Sequence, residues 1–121
     1  MREERGAIAG DFVVNEPMTL WGSVGGNLTV AEGGKFYLRG AVYGDVTCEF
    51  GGRMHIFGRI AGDLLVKRGA KVIHSGLIAG NATNDGGRLY VESTAIINGK
   101  VKTLRGETKI SKLFGATRPQ D

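Results

Sequence analysis

The residues of this chain that could do chemistry are two histidines, a single cysteine and a recurring Asn/Asp position. His55 and His74 stand one 18-residue unit plus one residue apart, so strand alternation sends them to opposite faces. They therefore share neither a metal nor a proton. His74 falls in a row with Leu38 and Ile56, which predicts a partly buried place at a rung edge. Cys48 sits in an aliphatic row and reads as a small buried hydrophobe, not a reactive thiol. A lone cysteine also excludes an internal disulfide and fits a reducing compartment. No Ser/His/Asp order, no Cys/His metal spacing and no phosphate-cradling glycine motif ahead of a helix can be assembled. The expectation is a non-enzyme without cofactor or metal.

Asn27, Asp45, Asp63 and Asn81 each follow a glycine in successive units. Stacked carboxylates can bind calcium, but only two of these four are charged and the calcium β-roll nonapeptide is missing. The expected role is an Asx turn, each side chain bonding its own backbone.

A second pattern is basic and aromatic. Lys35, Arg53, Lys71 and Arg88 recur as one outward row, and stacked like charges are mildly destabilising. Two residues on come Tyr37, His55, Ile73 and Tyr90, and two further on Arg39 and Phe57. Such a face suits an acidic protein or an anionic polymer, without specific nucleic-acid readout. A solvated sheet face with lysines as edge protection has the same composition.

What positions these residues is a repeat. From Gly22 the chain reads GSVGGNLTVAEGGKFYLR, GAVYGDVTCEFGGRMHIF, GRIAGDLLVKRGAKVIHS and GLIAGNATNDGGRLYVEST. Gly22, Gly40, Gly58 and Gly76 recur every 18 residues, as do Val24, Val42, Ile60 and Ile78, then Gly26, Gly44, Gly62 and Gly80. GAIAGDFVVNEPMTLW is a shortened opening copy, and Ala95 to Val101 is a closing copy displaced by one. Apolar residues alternate with period 2 and no helical stripe interrupts them. The fold predicted is all-β: a single-domain parallel β-helix of about six rungs of roughly 18 residues. Its inner columns are Val24/Val42/Ile60/Ile78, Leu28/Val46/Leu64/Ala82, Val30/Cys48/Val66 and Phe36/Met54/Val72/Leu89. Glycine, 21 of 121 residues, is expected at corners needing positive φ.

The chain is too short for two cores. Residues 1–5 read as a short flexible N-terminus, 6–104 as the β-helix, and 105–121 as a C-terminal cap or tail with a disordered end from Ala116 to Asp121. The charged start MREER predicts no signal peptide, and no run of about 18 apolar residues predicts a membrane span. A cytoplasmic location is the expectation. Handedness has two readings. The uninterrupted sixth-residue series Val24, Val30, Phe36, Val42, Cys48, Met54 fits the hexapeptide of left-handed β-helical acyltransferases. The small partner two residues earlier is Gly or Leu in most hexads here, which turns the expectation to right-handed.

The signature G-x-[VI]-x-G-[DN]-[LV], present as GSVGGNL, GAVYGDV and GRIAGDL and partly as GLIAGNA, resembles the repeat of bactofilins, polymer-forming bacterial cytoskeletal proteins. The closing STAIINGKVKT is similar to their last rung, and the resemblance covers roughly residues 6–104. It implies a right-handed β-helix that polymerises end to end into non-polar filaments without nucleotide. Family members often carry an N-terminal membrane-targeting peptide. MREER has no apolar anchor and gives membrane association no support.

On that reading the partner is the chain itself, through terminal rungs that offer Phe12, Val14, Leu20 and Trp21 at one end. The other end offers Ile97, Val101 and Leu104, with Leu113 and Phe114 either folded back as a cap or free. The alternative is a capped monomeric or dimeric protein-binding module, of adaptor or immunity type, using the basic-aromatic face.

Overall fold

A computed structural model describes residues 1–114. A short strand β1 (Arg2–Glu4) precedes a first rung of β2 (Ala7–Ile8), β3 (Phe12–Val14) and β4 (Pro17–Leu20). Three rungs repeat it: β5 (Ser23–Val24), β6 (Leu28–Val30) and β7 (Lys35–Leu38), then β8 (Ala41–Val42), β9 (Val46–Cys48) and β10 (Arg53–Ile56), then β11 (Arg59–Ile60), β12 (Leu64–Lys67) and β13 (Lys71–His74). The fifth is β14 (Leu77–Ile78) and the long β15 (Ala82–Val91), and the sixth is β16 (Ile96–Ile97) and β17 (Val101–Ile110). Every strand pair is parallel. The predicted β-solenoid, all-β and about six rungs of roughly 18 residues, is the fold of the chain.

The two-residue strands β2, β5, β8, β11, β14 and β16 form one face. The other two faces share β15, which pairs with β12 through its first half and with β13 through its second. The inner columns run in the predicted register, and 18-residue spacing holds from Leu28 through Val46 to Leu64. Each of the four predicted columns is buried, and together they make one core that no single rung could close.

Why the repeat demands glycine is a matter of contact. A Cβ on Gly40 would strike the Gly22 carbonyl, and one on Gly58 the Gly40 carbonyl, so only glycine lets these rungs approach to hydrogen-bonding distance. The positive φ expected at the glycine corners is absent from this column; that role falls to another column, Gly33, Gly51, Gly69 and Gly86. The Asn/Asp position also differs from the expected self-bonded turn. Each side chain reaches one rung forward along the stack: Asn27 Oδ1 accepts from the Asp45 amide, Asp45 Oδ1 from Asp63 and Asp63 Oδ1 from Asn81, all within 2.7–2.8 Å. Asp11 opens this ladder and the Lys100 amide closes it. The physical reason is that Gly44, Gly62 and Gly80 leave no Cβ between the carboxamide or carboxylate and the next rung.

Two boundaries are corrected. Residues 1–5 are not a free flank, because Arg2–Glu4 pairs in parallel with Met18 to Leu20. Backbone pairing on the open edge of β4 needs no apolar residue, which is why a charged pentapeptide serves. The solenoid also continues past Leu104 to Ile110, where β17 pairs with the whole of β15. A boundary drawn at the last apolar residue misses it, because this strand is solvent-exposed along most of its length. Beyond it Phe114 packs against the core while Leu113 is exposed. The expected disorder from Ala116 to Asp121 lies outside the described residues.

Candidate interaction surfaces

The predicted basic-aromatic face assembles as one surface. Strands β7, β10, β13 and the second half of β15 hold Lys35, Arg53, Lys71 and Arg88 directly above one another. Tyr37, His55, Ile73 and Tyr90 form the next column. Lys35 lies over the Tyr37 ring and Lys71 over the Tyr90 ring, 5.8 and 5.7 Å from the centroids. No ion pair engages any of the four cations among the described residues. The row ends at Pro17 on one side and at Glu107 on the other.

At the corner beyond them runs a cation–aromatic ladder that extends the prediction. Arg39 sits between Phe57 and Trp21, 4.2 and 5.3 Å from their ring centroids, and Arg5 covers the far side of Trp21 at 5.2 Å. His55 stacks on Phe57 with centroids 3.9 Å apart and shares a hydrogen bond with Ser75 Oγ. Trp21, placed in the end interface by sequence, is a side-wall residue whose indole N–H donates to Glu3 at 2.8 Å. Burial lowers the His55 pKa, Glu92 opposing and Arg39 adding to the shift.

His74 is wholly buried, more deeply than its predicted rung edge. Its Nε2 donates to the Ile96 carbonyl at 3.1 Å, and Nδ1 has no partner among the described residues. Burial pushes its pKa below the usual histidine value, partly offset by the Ile96 bond. Cys48 is fully buried as expected, and desolvation pushes its thiol up to about 12.

The ends differ from the predicted apolar joints. Val14, Leu20 and Ile97 are core residues of the single chain, closed off by their own rungs. Arg2 and Glu4 share the inward register of Met18 and Leu20, so a charged pair lies over that end of the core. Arg2 stacks on half-buried Phe12, 5.5 Å from its centroid. At the other end Val101 is half-buried, and Leu104 and Leu113 are exposed by 61% and 64%. Sequence reading missed Asn84, which continues the Val30/Cys48/Val66 column as a buried amide. It donates to the Glu107 carbonyl and Thr108 Oγ1 at 3.0 Å and accepts from the Gly87 amide. Thr103 donates to Thr108 at 2.7 Å, so this end of the core is polar. The signal was in the register: one residue is missing before Gly86, and the column lands on Asn84 only if the slip is placed after it.

Comparison of the chain with family models, with curated proteins and with solved structures found no match in any of the three. The fold defines the class, a short β-solenoid; its surfaces have to carry any functional reading.

Proposed function

We propose that the chain is a structural subunit that joins end to end through its terminal rungs, as the bactofilin-like repeat implies. The observation that supports this reading is the pair of free strand edges. Among the described residues β17 pairs on one side only, with β15, and ten residues of parallel strand present an open edge on the other. At the opposite end β1, β2 and β3 are likewise edge strands. Unpaired N–H and C=O groups in such rows add a strand from another chain readily. The joint on this account is first a backbone joint, because Arg2/Glu4 at one end and Thr103/Thr108 at the other share the inward positions with the apolar Val101 and Ile110.

The test is light scattering with negative-stain electron microscopy of untagged protein and of Ile110→Pro. The Ser111 amide donates back to Val91, so alternation turns the Ile110 amide to the free edge. Proline there removes a pairing donor without touching the bonds to β15. Assemblies in the parent and small particles in the variant support the proposal. A monodisperse monomer at high concentration removes it and favours the adaptor-type module.

A further inference from the structure

We propose that the outward row Lys35, Arg53, Lys71 and Arg88 binds a linear inorganic polyphosphate laid along the solenoid axis. Four cations in direct register repel one another and cost stability. No carboxylate among the described residues forms an ion pair with them, and Glu107, beside Arg88, is the one acidic neighbour in register; the cation–π contacts of Lys35 and Lys71 leave the row's net charge uncompensated. Beside Arg53, Lys71 and Arg88, with Lys35 beyond its open end, lies a trough of about 690 Å³, floored by Gly52, Gly69, Ala70 and Gly87 and closed at the other end by Glu107. These glycines serve the fold, since a Cβ on Gly52 or Gly87 would strike the rung before it. The consequence is a floor with no side chain larger than the Ala70 methyl, parallel to the row of positive charge.

What the trough lacks selects the ligand. It presents no Asn, Gln, Ser or Thr side chain that could read sugar hydroxyls or base edges. Nor are the neighbouring Tyr37 and Tyr90 rings open on both faces for stacking bases, since Lys35 and Lys71 lie over them. A single row also suits one chain and not the two phosphate rows of a duplex. The chemistry left is charge and phosphate oxygens met by guanidinium and ammonium groups. Three strand spacings separate Lys35 from Arg88, so the row spans about 14 Å. This surface lies on the side wall, and the inference holds whether or not the ends join.

The experiment is isothermal titration calorimetry of the full chain with phosphate oligomers of graded length. Orthophosphate and pyrophosphate should bind weakly. Affinity should climb until the oligomer spans the row, and log K should fall against log salt with a slope of roughly −3, as four released counterions require. The Arg53→Gln/Lys71→Gln double variant should bind about tenfold or more weakly and roughly halve that slope. Its melting temperature should not fall, since repulsion is relieved; Lys102→Gln, outside the row, should bind as the parent does. The proposal is overturned if long polyphosphate does not bind, or if the double variant binds unchanged. It is equally overturned if oligo-dT or a polyuronate of matched charge binds as tightly.

Discussion

His74 stands between Ile56 and Val91 in a column whose other buried members are Leu20 and Leu38. Its neutral form is the one the fold accepts, because burial holds its pKa below the ordinary 6.5. The unfolded chain therefore takes up this proton at higher pH than the native chain does. Stability is complete above the ordinary histidine value and is lost as pH falls through it toward the lowered native one. Replacing His74→Leu should flatten that acid limb in a thermal-melt series from pH 7.5 to 5; an unchanged limb would assign it elsewhere. Cys48, with its thiol pushed up to about 12, should resist thiol reagents in native buffer and react only on denaturation. Sequence placed both residues in their columns, because alternation tells inward from outward. How deep His74 lies was not legible, since Ile96, a rung later, takes up its N–H. Asn84 shows the same limit: a single slipped residue conceals a buried amide whose loss in Asn84→Val should cost about 1–3 kcal/mol by orphaning the Gly87 amide.

At the scale of strands and corners, the repeat carries two devices with one period. Gly58→Ala forces a Cβ into the Gly40 carbonyl and should prevent soluble folding or cost more than about 3 kcal/mol. Asp45→Ala removes one acceptor from the Asx ladder and should cost about 1 kcal/mol, leaving the Asp63 amide unpaired. Chemical denaturation of the two variants separates a steric requirement from a hydrogen-bond increment. The repeat, the inner columns and their register were legible because parallel stacking copies each position onto the next rung. Which glycine column supplies positive φ was not, since close approach and turn geometry both select glycine at the same spacing. The terminal strands were least legible. In β1 and β17 backbone pairing needs no apolar alternation, so MREER and the segment after Leu104 looked like flanks.

For the whole molecule, the side wall and the ends make separate demands. The side-wall row was read from sequence and its register is present; the ladder through Trp21 emerged only when Arg5 was brought back beside it. At the N-terminal end, deleting residues 1–5 should uncover Phe12 and the β4 edge, lowering the melting temperature and raising the tendency to associate. A truncated chain that stays as stable and as monodisperse as the parent would show that β1 covers nothing. The account's central claim is end-to-end joining through open strand edges, and negative-stain electron microscopy of the untagged chain at low and high salt tests it most directly. The account predicts elongated assemblies that the Ile110→Pro substitution disperses. Uniform single-chain particles at every concentration would contradict it.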